Sequence, residues 1–118
     1  MTEANTWQQE YLSRVWVIGD EEVVRMQTLK KDVDETTRFT FDFSQRHEIQ
    51  EGDSITAIAA LTASPTELTL SDQAIDGDAE RVRVTIASGT SAVRYALRCT
   101  VTTASGYTLV GKGYLDVE

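Results

Sequence analysis

The chain has 118 residues, enough for one domain and too few for two full hydrophobic cores. With 41% hydrophobic and 25% charged residues, the composition is typical of a folded globular protein and not of a disordered one. The formal net charge of -8 argues against a protein that binds nucleic acid or anionic membranes, because both surfaces would repel it.

The inventory of reactive side chains is small. A single cysteine, Cys99, excludes an intrachain disulfide and a cysteine zinc cage, and a single histidine, His47, leaves no histidine pair for a metal. Cys99 alternates with polar residues on the inward side of a predicted strand, and His47 lies in a charged loop, so neither is expected to be catalytic. Asp72–Glu80 is rich in carboxylates but lacks the spacing of a calcium loop and is interpreted as a turn. We therefore expect no enzyme activity, no cofactor and no metal.

No localisation signal is recognisable in the sequence. Residues 1–9 are polar and lack the basic and apolar regions of a secretory signal, and no run of about 18 apolar residues could span a membrane. The sequence predicts a protein that stays in the cytoplasm of the cell that makes it.

Residues 1–30 form the first predicted unit, an N-terminal arm. Residues 15–18 and 23–26 are apolar and bracket the sequence Gly-Asp-Glu-Glu, which predicts a β-hairpin. The arm holds both tryptophans of the chain, and two interpretations of it remain open. It either covers the core of the following domain as an edge hairpin, or docks into a neighbouring subunit through its aromatic side chains. Those side chains are Trp7, Tyr11 and Trp16.

Residues 31–118 form the second predicted unit, and period-two alternation of apolar and polar residues indicates strands throughout it. Six or seven short strands separated by turns rich in Gly, Ser and Asp predict an all-β fold, an immunoglobulin-like antiparallel β-sandwich. The last strand contains Gly111 and Gly113, which suggest a bulge or a bend. The predicted strands include residues 39–43, 55–61, 68–70, 82–86, 93–101 and 107–117.

Two of these strands are expected to form a hairpin around residues 88–91, with one buried and one exposed face. On its exposed face the hairpin would gather four arginines, Arg81, Arg83, Arg94 and Arg98. Two interpretations remain open here as well: carboxylates from an adjacent strand neutralise the arginines, or the face binds an acidic partner, including another copy of the chain.

The order of several motifs resembles a family of small tailed-bacteriophage proteins, the fiber-tail adaptors. The motifs lie between residues 31 and 106. They are Lys31-Asp32-Val33-Asp34, Phe41-Asp42-Phe43-Ser44, Gly52-Asp53-Ser54-Ile55, the run from Val84 to Thr90, and the run from Tyr95 to Gly106.

This resemblance implies a non-enzymatic structural protein of a phage virion, made in the host cytoplasm and placed at the tail or neck of the particle. It would help to attach tail fibers, contact the tail or portal ring and the tail fiber, and assemble as copies in a ring. The candidate partner-binding residues are the three aromatic residues of the arm and the four arginines. Two alternatives are a capsid decoration or head-fiber protein, and a soluble immunoglobulin-like binding module unrelated to virions.

Overall fold

A computed structural model of the protein describes residues 14–19, 27–76 and 78–118. These residues form eight β-strands and one short helix, α1, which spans His47–Gln50. The strands are β1 Val15–Gly19, β2 Thr28–Lys31, β3 Thr37–Gln45, β4 Ile55–Ser64, β5 Leu68–Ile75, β6 Arg81–Ser88, β7 Val93–Thr103 and β8 Thr108–Val117.

The strands form two four-stranded sheets that pack face to face as a sandwich. Sheet A has the order β1-β3-β6-β5, and sheet B has the order β2-β8-β7-β4. The predicted all-β sandwich is confirmed, but the sheets are mixed where the sequence predicted antiparallel ones. β1 pairs parallel with β3 and β2 pairs parallel with β8, while the remaining pairs are antiparallel. The immunoglobulin likeness stays a prediction.

The core lies between the two sheets and is built from the apolar positions of the alternating strands. Pairing between strands satisfies the backbone N–H and C=O groups within each sheet. Burial of every second side chain removes the apolar face of each strand from water. The side chains that are essentially inaccessible to solvent include Phe39, Phe41, Phe43, Val82, Val84, Ile86, Tyr95, Leu97, Cys99, Val101 and Leu115.

The two strands of the N-terminal segment belong to different sheets. β1 is the edge strand of sheet A, and β2 is the edge strand of sheet B, so residues 15–19 and 28–31 lie within the sandwich. Residues 23–26, the second half of the hairpin predicted for this segment, lie outside the described residues. The charged residues 32, 34 and 35 therefore follow directly after β2, at the end of sheet B.

The predicted hairpin between β6 and β7 is wrong. β6 pairs with β3 and β5 in sheet A, and β7 pairs with β4 and β8 in sheet B, so the connection crosses from one sheet to the other. Ser88, Gly89 and Ala92 take positive φ values of 70°, 102° and 68°, which turns the chain through this crossing. A Cβ on Gly89 would lie 2.9 Å from Leu68 and 3.0 Å from Val117, so the crossing is also closely packed.

The bulge predicted at Gly111 and Gly113 is also absent, since β7 and β8 pair residue for residue along this stretch. Both glycines face the core, and their missing side chains make room for large residues of β1. The Trp16 indole occupies the space above Gly113, and Ile18 lies over Gly111. These glycines therefore allow a close approach between an edge strand of sheet A and a central strand of sheet B.

Candidate functional site

The three aromatic residues predicted to bind a partner do not share one environment. Trp7 and Tyr11 lie outside the described residues. The Trp16 side chain is fully buried, stacks on Phe41 at a centroid distance of 4.6 Å, and donates a hydrogen bond from Nε1 to the Tyr114 carbonyl at 3.1 Å. Because its ring and its only donor are both satisfied in the core, Trp16 is a packing residue in this chain. The prediction that Trp16 forms part of a docking surface is therefore replaced by a role in the core.

The four predicted arginines lie on two opposite outer faces because β6 and β7 are in different sheets. Arg81 and Arg83 alternate with buried residues of β6 and face outward from sheet A. Arg81 forms ion pairs with Asp42 at 3.4 Å and Asp78 at 3.5 Å. The buried Nε of Arg83 has no hydrogen-bond acceptor among the described residues. The single arginine face expected from the sequence is therefore two separate faces.

Arg94 and Arg98 face outward from sheet B, on β7. Arg94 binds Asp116 through two hydrogen bonds, from Nε at 2.7 Å and from Nη2 at 3.1 Å, and its guanidinium lies 5.2 Å from the centre of the Tyr114 ring. This paired guanidinium lowers the pKa of Asp116. The carboxylate on the adjacent strand thus neutralises Arg94, as one of the two sequence interpretations expected.

Arg98 lies in a different environment on the same face. Its cross-strand neighbour on β8 is Lys112, both side chains are exposed, and among the described residues no carboxylate lies within ion-pair distance of either. Like charges directly opposite each other on a sheet are destabilising unless something compensates them. Lys30 on β2 lies on this face as well and is paired with Glu118 at 3.5 Å.

We call this surface, formed by Lys30, Arg94, Arg98 and Lys112 with Asp116, the basic face of sheet B. Its four cations have two carboxylate partners, Asp116 for Arg94 and Glu118 for Lys30, in a chain with a formal net charge of -8. Lys30 and Lys112 were missed in the sequence because they lie far apart along the chain and meet only through the pairing of β2 and β7 with β8. The alternation around Lys112 was visible, but its register with Arg98 was not.

Two of the motifs that carried the family resemblance, residues 52–55 and the end of the run from Tyr95 to Gly106, meet at one end of the sandwich. Asp53, in the turn before β4, accepts hydrogen bonds from the backbone N–H groups of Ser54 at 2.9 Å and Ser105 at 3.1 Å. The Thr103 hydroxyl, followed by these backbone donors, lowers the pKa of Asp53. The Ala104 N–H also donates to the Ser54 carbonyl at 2.9 Å. The Gly-Asp-x-Ile turn is therefore joined by hydrogen bonds to the turn between β7 and β8.

A second polar cluster lies at the opposite end, beside the β6–β7 crossing. The buried Tyr95 hydroxyl donates to Glu67 Oε1 at 2.5 Å and accepts from the Thr90 N–H at 2.8 Å. The Thr90 hydroxyl donates to the same carboxylate oxygen at 3.0 Å, and the Tyr95 and Thr90 hydroxyls together lower the pKa of Glu67. Both ends of the sandwich are thus held by a carboxylate that joins two loops.

The groups considered for catalysis take ordinary structural roles. Cys99 is fully buried, and burial raises the pKa of its thiol to about 12, which makes it a packing residue. His47 lies at the exposed start of α1 and pairs with Glu51 at 2.9 Å. Within residues 14–19, 27–76 and 78–118, no group of three or more His, Cys, Asp and Glu side chains is placed to hold a metal ion. No helix in the same residues is long and apolar enough to cross a membrane.

Two solved structures are similar to this sandwich at low sequence identity. A crystal structure of the cysteine protease inhibitor EhICP2 from Entamoeba histolytica matches with a TM-score of 0.49 and 7% identity, over 88% of this chain and 95% of that chain. A solution structure of Amebosin matches with a TM-score of 0.39 and 9% identity, over 89% of this chain and 98% of that chain. No curated protein matches the sequence.

The family described as "Podophage GP4 fiber-tail adaptor protein gp77" matches residues 31–114, more than two thirds of the chain. This range runs from Lys31 at the end of β2 to Tyr114 in β8, and it includes both Asp53 and the loop that Asp53 binds. The match confirms the resemblance on which the sequence analysis relied. The chain therefore belongs to the podophage fiber-tail adaptor family.

Proposed function

We propose that this protein is a non-enzymatic structural protein of a phage virion that sits at the tail or neck and helps to attach tail fibers. The family match over residues 31–114 is the observation that carries this proposal. A rigid sandwich suits the role. Hydrogen bonds to the carboxylates of Asp53 and Glu67 hold the loops at its two ends, and the two outer sheet faces are available to partners.

The basic face of sheet B is the first proposed contact surface. Arg98 and Lys112 oppose each other without a carboxylate within ion-pair distance among the described residues, and an acidic surface of a partner virion protein would relieve that repulsion. The remainder of the chain is acidic, so electrostatic attraction to such a partner would also orient the protein with this face forward.

The outer face of sheet A is the second proposed contact surface, with Arg81 and Arg83 at its centre. An adaptor must bind two partners at once, the ring of the tail or neck and the fiber, and two opposite faces allow this without mutual obstruction. Trp7 and Tyr11 of the N-terminal arm add a proposed contact to the ring, in which several copies of the chain would assemble. Aromatic side chains are suited to such anchoring, because the residues that contribute most to binding at interfaces are enriched in tryptophan and tyrosine.

Charge reversal of one arginine on each face tests whether the faces serve different partners. Arg98→Glu is expected to weaken binding of one partner by about ten-fold or more, about 1.4 kcal/mol, and to spare the other. Arg83→Glu is expected to show the reverse pattern. The measurement is a pull-down of purified ring and fiber proteins, with far-UV circular dichroism to verify folding, and each variant is the matched control for the other. Equal binding of both partners by both variants would place the contacts elsewhere.

Immunogold labelling of purified particles tests the location. Antibody against residues 31–118 is expected to place gold at the tail or neck. Gold over the capsid shell would instead support a decoration or head-fiber protein. No gold on any particle, with the epitope shown to be accessible, would favour a soluble binding module.

A further inference from the structure

Four strands form the edges of the sandwich, and β4 differs from the other three. β1 has five residues, and β2 has four, two of them the lysines Lys30 and Lys31. β5 contains Asp72 at a positive φ of 52° and a register shift between Ser71 and Ala74. Short length, lysines, charges and bulges are the features by which natural proteins prevent edge strands from pairing with other chains.

β4 lacks most of this protection. It has ten residues, Ile55–Ser64, and none of them is charged. Its first half contains two register shifts, but Ala60–Ser64 pairs residue for residue with β7. Within the described residues no strand pairs with the other side of β4, so alternate backbone N–H and C=O groups of Ala60–Ser64 point outward from the sheet.

A groove runs beside this open edge, between β4 and β5. It has a volume of about 310 Å³ and is lined by four apolar residues, Leu61, Ala63, Leu68 and Leu70, and by three polar ones, Thr62, Thr66 and Gln73. Leu61 is half-buried, although its partner across the ladder, Cys99, is fully buried. A strand added beside Ala60–Ser64 would point alternate side chains into this groove and complete the burial of Leu61.

We propose that Ala60–Ser64 is a dimerisation edge, which pairs antiparallel with the same five residues of a second copy of this chain. A two-fold axis at Thr62 would place Thr62 opposite itself, Leu61 opposite Ala63, and Ala60 opposite Ser64. The inward pair is then apolar and faces the groove, and the outward pairs are small and uncharged. The segment is thus complementary to itself, as an isologous contact requires.

The absence of charge favours a second copy over another partner. A two-fold axis brings each edge side chain close to its own counterpart, so any charge on the edge would repel itself. In a chain that is 25% charged with a net charge of -8, ten consecutive uncharged residues at an open edge remove this repulsion. The nearest outward charge is Arg98 on β7. Across the axis the two Arg98 strands are three strand spacings apart, about 14 Å, which exceeds the screening length of about 8 Å at physiological salt.

Analytical ultracentrifugation of the full chain, with variants of exposed Thr62, tests this proposal. The wild-type protein is expected to form dimers with increasing concentration. Thr62→Lys is expected to weaken dimerisation at least ten-fold, because it places two like charges on the axis beside the Arg98 side chains opposite residue 62. Thr62→Glu is expected to weaken dimerisation less, because Arg98 partly neutralises the new carboxylate. An equimolar mixture of the two variants is expected to form a heterodimer, because lysine then faces glutamate. Thr108→Lys introduces the same charge on the same sheet face but on β8, and is expected to dimerise like the wild-type protein.

Three results would overturn the proposal: a wild-type chain that stays monomeric at millimolar concentration, a dimer unaffected by Thr62→Lys, or a mixture of the two variants that fails to associate. Circular dichroism of each variant shows whether it is folded. If both variants are folded and their mixture still fails to associate, the loss of dimerisation is not caused by like charges at residue 62. This inference goes beyond the attachment of fibers. Its substitutions are at Thr62 and not at Arg83 or Arg98, so the pull-downs and the dimer are tested by different variants and can fail separately.

Discussion

Gly113 offers a direct test of how the N-terminal strand is held in the sandwich. A Cβ at this position would overlap Cγ, Cδ1 and Nε1 of Trp16. The indole has no free space to move into, because it stacks on Phe41 and lies 5.4 Å from the ring of Phe39. Gly113→Ala must therefore displace either the indole or the backbone of β8, with the loss of the bond from Trp16 Nε1 to the Tyr114 carbonyl.

The expected cost follows from these contacts. Forcing one extra carbon into a packed core costs about 1–3 kcal/mol. The lost indole hydrogen bond adds about 1 kcal/mol, and the smaller entropy of the unfolded alanine chain offsets roughly 0.4–1 kcal/mol. We expect Gly113→Ala to lower the free energy of unfolding by about 1–4 kcal/mol. Since domains of this size are stable by roughly 5–15 kcal/mol, the variant should still fold, with a Tm lower by roughly 10 °C.

Urea denaturation followed by far-UV circular dichroism measures this loss. Gly19→Ala, in β1, is the matched control, because no atom lies within 4 Å of its added Cβ. It is expected to be unchanged or more stable by up to about 1 kcal/mol. Adding Trp16→Phe to Gly113→Ala should recover part of the loss, since the smaller ring leaves room for the methyl group. Equal stability of Gly113→Ala and Gly19→Ala would refute the close packing of β1 on β8.

Two further predictions concern polar groups. Asp53 and Glu67 have folded-state pKa values below their ordinary ones, so their stabilisation is fully present above the unfolded-state values and is lost as pH falls through the folded-state values. Asp53→Asn should therefore reduce stability at pH 7 more than at pH 3 in urea titrations; an equal loss at both pH values would contradict this. Lys31 is buried and donates to the Ser88 carbonyl at 2.8 Å and the Asp32 carbonyl at 2.9 Å, so Lys31→Met should cost about 1–3 kcal/mol. Lys30→Met, at an exposed surface ion pair, should lower the free energy of unfolding by less than about 1 kcal/mol in the same urea titrations. Equal losses of stability in the two variants would exclude a structural role for the Lys31 amino group.

The positions of the strands could be predicted from the sequence, whereas their assignment to sheets could not. Alternation identified Phe39–Phe43 and Val82–Ile86 as half-buried strands, and both are. Alternation shows which side chains face the core but not which sheet holds the strand, because inward residues look the same in either. A short turn after Ser88 is compatible with a hairpin and with a crossing, and the tight packing of Gly89 against Leu68 and Val117 that accompanies the crossing is visible only in three dimensions.

The candidate site was predictable in part for the same reason. Arg81, Arg83, Arg94 and Arg98 do face outward as alternation required, but the wrong pairing of β6 with β7 placed them together. Lys112 joins the basic face only through the register of β8 with β7, a long-range property that no local pattern contains. The sequence predicts Trp16 as an anchor because of its residue type, and it predicts a bulge or a bend at Gly113, the glycine that contacts the indole. Once β1 and β8 are known to be in contact, the absence of a side chain at Gly113 accounts for the space that the Trp16 indole occupies.

The parallel pairing of β2 with β8 has a consequence for the order in which the protein folds. β2 begins at Thr28, and its partner residues start at Tyr114, near the end of the chain. During synthesis, β2 therefore has no partner strand among the described residues until β8 has left the ribosome, and the Trp16 indole lacks the surface of Gly113 for the same period. Contacts between residues so far apart along the chain are slow to form, because the whole intervening loop must close first. Sheet B is completed only after β8 has left the ribosome, and until then the uncharged β4 edge is exposed on an unfinished sandwich.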